Sequence, residues 1–333
     1  MSGAAAPDRS VTLRAPAKVN LGLRLTGLRE DGYHLLESLF VPLALADEIE
    51  LRWWAAAEPG VALVVDVPAE AALPKALSGV TAGPDNLVVR AIEAFRAAHG
   101  LPGRVEIRLS KRIPAGAGLG GGSSDAGTVL AALPGLMGGV PPELAPLALE
   151  LGADVPYFLA PEPALVTGIG ERIAPVAGVP ALDLVLVNPG ISVATAEVYR
   201  VADLLRDSLT GSEAGSTMRA ISGLAGETGA WRHALGALLV NDLAPAAIRL
   251  CPPIGRWLDR LREAGAIGVG MSGSGGTVFG VFGSAAEAER ASSALLRSGR
   301  PSDSENQSSE DDPWICVTRV VARSRSDRQD PKT

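Results

Sequence analysis

Between residues 114 and 125 the chain reads Pro114-Ala115-Gly116-Ala117-Gly118-Leu119-Gly120-Gly121-Gly122-Ser123-Ser124-Asp125, with five glycines in the seven positions from 116 to 122. An apolar strand pattern precedes this run and a helix pattern follows it from about Ser124, with Ser or Asp as the cap. Glycine removes the Cβ bulk that keeps a backbone away from a phosphate. A helix start adds unsatisfied N–H groups and about half a positive charge. The chemistry that suits such a run is the holding of a triphosphate, and the alternative is a flexible Gly/Ser linker. A strand and a helix abut the run with no polar spacer, which weighs against a linker. The sequence contains no Gly-Lys pair, so this is not a G-x-x-x-x-G-K-[ST] loop. Gly116, Gly118 and Gly121 do have G-x-G-x-x-G spacing, but several strand patterns come first, whereas a dinucleotide unit needs an early βαβ.

Two charged residues stand in apolar surroundings. Lys18 is one of four lysines among 30 basic residues and lies in Ala15-Pro16-Ala17-Lys18-Val19-Asn20-Leu21-Gly22. A chain that elsewhere uses arginine has placed a compact, strongly hydrated point charge there, or simply a strand lysine facing water. Asp154 sits in Leu151-Gly152-Ala153-Asp154-Val155-Pro156-Tyr157-Phe158 with no polar neighbour. It is either a turn aspartate after a helix or a carboxylate that needs a partner from elsewhere; a buried pair with Lys18 would satisfy both residues. Asn20, two residues after Lys18 on a strand, shares its face.

The elements that must carry these residues follow from periodicity. Val11–Ala15 and Val19–Leu25 alternate as strands, then a charged turn over Gly27–Gly32 leads to Tyr33 and His34. Further strands are predicted at Asp47–Trp53, Val61–Val67 and Val105–Ile113, with a helix over Leu87–His99 capped by Asp85 or Asn86. A short helix over Glu143–Leu151 stops at Gly152. The second half predicts a buried strand at Leu184–Val187 and helices over Ala196–Ser208, Ala230–Asp242 and Ile254–Glu263. Strands at Gly268–Met271, Val278–Phe282 and Ile315–Val321 and a helix ending near Arg297 complete an α+β pattern.

Composition excludes several classes. The 333 residues are 47% hydrophobic and 20% charged, which suits a folded chain of two domains. With 30 basic against 37 acidic residues the net charge is −7, a poor match to a nucleic-acid backbone. Cys251 and Cys316 make no disulfide framework, and His34, His99 and His233 show no metal-ligand spacing. The N-terminus lacks the pattern of a secretory signal. The uncharged stretch Ala126–Pro142 holds four glycines and three prolines and is a poor membrane span, so a cytoplasmic protein is expected.

Three motifs in order resemble the galactokinase, homoserine, mevalonate and phosphomevalonate (GHMP) kinase superfamily over nearly the whole chain. They are Ala15–Leu21, the glycine loop, and Met271-Ser272-Gly273-Ser274-Gly275-Gly276-Thr277-Val278-Phe279. Within it, Asp31-Gly32-Tyr33-His34 and Gly152-Ala153-Asp154-Val155-Pro156 resemble the members that act on a diphosphocytidyl methylerythritol in the non-mevalonate isoprenoid pathway. The departures are Thr167-Gly168, where an Ala-Arg pair is common, and the acidic Pro301–Asp312 insertion.

The resemblance implies a two-domain GHMP kinase fold of α+β class. Its first domain would be like ribosomal protein S5 domain 2 and its second ferredoxin-like. The expected division is a disordered leader 1–10, a domain 11–170 with the ATP loop, a domain 181–323 with a disordered insertion 301–312, and a disordered tail 324–333. It also implies transfer of the ATP γ-phosphoryl group to the substrate's 2-hydroxyl. Asp154 would be the base, and Lys18 would hold it ionised and steady the developing alkoxide. Residues 114–124 would hold the ATP phosphates with Mg2+, for which Ser123 or Ser124 is the candidate contact. Tyr33 would stack on the cytosine with Tyr199 on its other face, His34 would bond the base edge, and Asn20 would contact substrate. The third motif would either close over the ligands or serve as a tight loop. A small-molecule substrate is thus expected, with no nucleic-acid or membrane partner. The alternatives are another kinase of the superfamily, acting on homoserine or mevalonate, and a catalytically silent regulator or RNA binder on the same fold.

Overall fold

The computed structural model describes residues 6–74, 78–138, 142–191, 193–206, 231, 234–236, 238–298 and 313–321. The chain divides into two compact units that interleave in sequence, Met1–Ala17 with Leu45–Pro161 and Lys18–Ala44 with Glu162–Thr333. Two long strands, β1 (Arg9–Leu28) and β2 (His34–Trp54), contribute residues to both. The sequence predicts β1 as two pieces either side of Pro16 and β2 only from Asp47. Proline and the residue before it are both at home in extended backbone, so Pro16 bends nothing. Leu39, Phe40, Val41 and Leu43 are all buried, and such a run lacks the alternation that marks a half-buried strand.

In the first unit β3 (Gly60–Asp66) runs parallel to β4 (Arg104–Ser110), which pairs antiparallel with Glu48–Trp54 of β2. Helix α1 (Leu87–His99) connects β3 to β4. Its start is set by Asn86, whose side chain accepts from the Val88 N–H, and its end by Gly100 at φ 73. Val88, Ala91, Ile92 and Phe95 form its buried stripe at i, i+3, i+4 and i+7. Each large apolar side chain so buried contributes about 1.5–3 kcal/mol. That stripe shares a core with Val129, Leu130 and Leu133 of α2 (Gly121–Met137), and α3 (Ala145–Leu151) packs onto the same core through Ala148 and Leu151.

In the second unit an antiparallel sheet has the order β10–β7–β9–β8, made of β7 (Asp183–Asn188), β8 (Gly268–Met271), β9 (Val278–Phe282) and β10 (Trp314–Arg319). Numbered in chain order this is 4-1-3-2, the split βαβ pattern of a ferredoxin-like unit. Its helices are α4 (Thr195–Arg206), α5 (Ala244–Leu250), α6 (Pro253–Glu263) and α7 (Ala285–Ser298). Val185, Val187, Val198, Ile254, Leu261 and Val278 lie in one core. The first residues of β2 pair with β5 (Ala164–Gly168), and β5 pairs with β6 (Arg172–Pro175). This hairpin and α5 were not foreseen. The expected 301–312 insertion, the 324–333 tail, residues 1–5 and part of the helix expected at 230–242 lie outside the described residues.

Candidate active site

In the first unit the chain leaves β4, turns through the glycine loop and enters α2 at Gly120, which sits at φ 72 and gives the helix no side-chain cap. The first-turn N–H groups therefore remain available to an anion. The loop is tight: a Cβ at Gly121 would stand 3.0 Å from Cγ2 of Ile113 and 3.4 Å from Nζ of Lys111. It lines a cavity of about 390 Å³ together with Val80, Thr81 and Leu87. Pro114–Gly118 and Gly120–Ser123 reach this cavity, whereas Leu119 is buried in the core and the Ser124 hydroxyl donates to the Pro16 carbonyl at 2.7 Å. Helix α2 begins three residues before the predicted Ser124.

Beneath the loop is an ionic cluster that sequence reasoning missed. The buried Lys111 ammonium donates to Asp47 and, at 2.7 Å, to Oδ2 of Asp125. Oδ1 of Asp47 accepts the N–H groups of Arg112 at 2.5 Å and Ile113 at 2.9 Å, which ties down the chain just before the loop. Burial pushes the Asp125 carboxyl well above the usual carboxylate range; Lys111 pulls it back and the Asp47 charge pushes it up again. Burial alone would lower Lys111, but Asp125 and Asp47 together leave it raised. The scarcity of lysine that singled out Lys18 applied equally to Lys111 and was the available signal.

Asp154 lies half-buried on the turn between α3 and a 3-10 turn at Pro156–Leu159. The Val155 N–H donates to the Gly152 carbonyl at 3.1 Å, and the Phe158 N–H to the Val155 carbonyl at 3.0 Å. This turn lies directly against α2. A Cβ at Gly127 would stand 2.7 Å from Cβ of Phe158 and 2.9 Å from the Val155 oxygen. The helix that starts at the glycine loop and the turn that carries Asp154 are thus one packed piece.

In the second unit Lys18 is 3% exposed, which excludes a strand lysine facing water. Its Nζ donates to Oδ1 of Asn20 at 2.7 Å and lies 4.4 Å from the Phe40 ring centroid. Nδ2 of Asn20 donates to the Ser38 hydroxyl at 2.8 Å, and that hydroxyl donates to the Gly22 carbonyl at 2.5 Å. The shared face expected for Lys18 and Asn20 is present. The third motif comes to the same place, since the Asn20 N–H donates to the Ser272 hydroxyl at 3.4 Å. Nδ2 of Asn241 holds that loop through the Met271 and Gly273 carbonyls at 2.9 and 2.8 Å.

The aromatic residues gather at the head of β2. The Arg29 guanidinium grips Asp31 at 2.7 and 2.5 Å, and its hydrogen bond holds the Asp31 carboxyl below its ordinary value. The Arg29 guanidinium also lies 5.2 Å from the Tyr33 ring, which is 59% exposed. His34 packs against Tyr199, with centroids 4.7 Å apart, and its Nε2 is 2.7 Å from Oδ1 of Asp203. The resemblance implies that Tyr199 covers the other face of a bound cytosine from Tyr33; the structure packs the Tyr199 ring against His34. Asp203 and Ser38 were not foreseen. Among the described residues no group of three His, Cys, Asp or Glu gathers as a metal site, and no helix is long and apolar enough to cross a membrane.

Residues 86–161 match the model of the GHMP kinases N terminal domain and residues 220–300 that of the GHMP kinases C terminal. The chain is 45% identical over 278 residues to the 4-diphosphocytidyl-2-C-methyl-D-erythritol kinase of Anaeromyxobacter sp. (strain K), covering 82% of this chain and 81% of that one. It is 41% identical to the kinase of the same name from Deinococcus radiodurans, over 85% of this chain and 88% of that protein. A crystal structure of 4-(cytidine 5'-diphospho)-2C-methyl-D-erythritol kinase matches with a TM-score of 0.71 at 35% identity, over 94% of this chain and 100% of that one. A homoserine kinase from Cytophaga hutchinsonii, at 22% identity and a TM-score of 0.62 over 97% of each chain, shares the fold. The α+β GHMP kinase fold expected from the sequence is the one observed. With its three motifs in their places and relatives of this identity over four-fifths of its length, the chain belongs to the 4-diphosphocytidyl-2-C-methyl-D-erythritol kinase family of the GHMP kinases.

Proposed function

We propose that this protein transfers the γ-phosphoryl group of ATP to the 2-hydroxyl of 4-diphosphocytidyl-2-C-methyl-D-erythritol, giving the 2-phosphate and ADP, in the non-mevalonate route to isoprenoids. The observation that carries the choice of substrate is the aromatic group at the head of β2. Exposed Tyr33, braced by Arg29, stands next in sequence to His34 on Tyr199. Stacking of a base on such a face contributes about 1–3 kcal/mol. Homoserine or mevalonate, having no base, has no use for it.

Phosphoryl transfer asks a protein for alignment and charge stabilisation. The glycine loop and the uncapped start of α2 hold the phosphates of ATP. Asp154 accepts the proton of the 2-hydroxyl as that oxygen bonds to the γ-phosphorus, and the bond to the β–γ bridging oxygen breaks to release ADP. Lys18 compensates the charge growing on the attacking oxygen, and Asn20 keeps its ammonium in place. Tyr33, His34 and Tyr199 hold the cytidine end. Hydroxyl and phosphate oxygens suit Mg2+, which supplies neutralisation of the phosphate charge. Ser123 lines the cavity and would be the contact on the protein side, since the Ser124 hydroxyl is committed to Pro16. The reaction belongs in the cytoplasm and needs neither nucleic acid nor membrane.

The test is ADP release from Mg-ATP with the cytidyl compound offered beside homoserine, mevalonate and galactose. Turnover with the cytidyl compound alone is expected, and His34→Ala raises its KM while sparing ATP. Turnover with another alcohol overturns the substrate. Nucleotide binding with no turnover replaces the kinase by a silent regulator.

A further inference from the structure

Tyr199 and Asp203 stand at i and i+4 on α4, one turn apart on one helix face. That face meets His34. Tyr199 covers the imidazole with planes inclined at 36°, while Oδ1 of Asp203 lies 2.7 Å from Nε2 at the ring edge. The imidazole is 13% exposed and the carboxylate 49%. A half-exposed contact of this kind adds little to stability. What it does set is the position of a proton. A carboxylate only accepts hydrogen bonds, so the 2.7 Å contact calls for a proton on Nε2, and in the tautomer that carries its single proton there Nδ1 is a lone-pair acceptor. Among the described residues Nδ1 has no hydrogen-bond partner.

We infer that Asp203 is a positioning and specificity-determining residue, which holds His34 as its Nε2–H tautomer so that Nδ1 accepts from the 4-amino group of cytosine and rejects uracil. The 4-carbonyl of uracil is itself an acceptor and would face the Nδ1 lone pair with no hydrogen between them. A site built around one hydrogen bond discriminates strongly, because the wrong ligand leaves buried polar groups unpaired. Tyr199 prevents the ring from tilting away, so orientation and tautomer are set from the same helix. The inference rests on a cytidyl substrate and adds to it the residue that distinguishes cytosine from uracil.

The experiment compares wild type, Asp203→Ala and Asp203→Asn with the cytidyl compound and with its uridyl counterpart. Asp203→Ala is expected to raise KM for the cytidyl compound about tenfold, with kcat and the ATP KM within about twofold of wild type. The preference for cytidyl over uridyl substrate falls about tenfold. Asp203→Asn, whose amide oxygen still accepts from Nε2–H, retains much of that preference. Imidazole 15N spectra of the full chain, with the His34 signals assigned by their loss in His34→Ala, show the Nε2–H tautomer in wild type and a mixture in Asp203→Ala. An unchanged preference together with an unchanged His34 spectrum in Asp203→Ala overturns the inference. Failure of the wild-type protein to phosphorylate the cytidyl compound overturns the substrate instead, and the spectra then decide the tautomer by themselves.

Discussion

Gly127 of α2 lies against Val155, one residue beyond Asp154, so closely that a Cβ at 127 would stand 2.9 Å from the Val155 carbonyl oxygen. Backbone rather than a flexible side-chain end fills that space. The turn bearing the proposed base is therefore set by a missing methyl group on the helix that begins at the glycine loop. Gly127→Ala forces α2 and the turn apart and is expected to cost about 1–3 kcal/mol of stability. Because Asp154 moves with the turn, kcat falls more than ATP affinity does. Thermal unfolding and steady-state kinetics of this one variant check both effects, and wild-type kcat in a destabilised protein would separate the packing from the chemistry.

Asp154 itself should matter for turnover and little for nucleotide binding, since the loop that holds ATP is built from other residues. Asp154→Ala is expected to lower kcat by about 10² to 10⁴, the usual contribution of a general base. Single-turnover phosphoryl transfer alongside ATP titration tests this. An unchanged kcat removes Asp154 from the mechanism.

The parts of this molecule that were legible in its sequence are those whose signals are local. Helix α1 has an apolar period, an Asn86 cap and a Gly100 stop within a few residues of one another, and it forms over the predicted Leu87–His99. Strands β8 and β9 also match their predicted bounds. The hairpin β5–β6 offers only five and four residues, too few to show a period, and β5 is held by a strand more than a hundred residues away. The cluster of Asp47, Lys111 and Asp125 joins residues 64 and 14 positions apart, a distance at which no spacing rule operates. Asp203 reads as a solvated helix residue until the fold brings His34 to it. Lys18 and Asn20 were legible because i and i+2 on a strand must share a face, whereas Ser38 and Ser272, which share hydrogen bonds with Asn20, were not.

Asn20 joins the lysine to the third motif, so its loss should be felt as misplacement of charge. Asn20→Ala removes an acceptor of the Lys18 ammonium and the donor to the Ser38 hydroxyl. Such a buried loss costs about 1–3 kcal/mol. The expected kinetic outcome is a kcat lower by about 10- to 100-fold with little change in the KM for ATP, in keeping with a group that acts on the developing alkoxide. A rise in the KM of the alcohol substrate with kcat intact would instead make Asn20 a substrate contact alone.

The buried cluster under the loop makes a prediction about pH whose sign is opposite to that of an ordinary ion-paired aspartate. Burial is the main reason the Asp125 carboxyl lies well above its unfolded value of 3.8. In the interval between these two values the native state holds more protons than the unfolded one, so stability falls as pH rises through it. Lys111 has the reverse relation: raised above 10.5, it contributes stability that is complete below that value and is lost above it. Asp125→Asn stays neutral throughout and keeps an oxygen for the ammonium. Its urea midpoint, followed from about pH 4 upward, should lack the decline that Asp125 imposes on the wild type, while contributions from carboxylates outside the cluster cancel between the two proteins. Parallel curves would mean that Asp125 is ionised in the native state across that range, with Lys111 balancing both carboxylates. Removing the ammonium instead, as in Lys111→Met, leaves the buried Asp47 carboxylate without its cation beside the Asp125 carboxyl and is expected to cost about 3–5 kcal/mol. The chain before the glycine loop, tied to Asp47 through Arg112 and Ile113, would loosen with it and weaken ATP binding before it touched the transfer step.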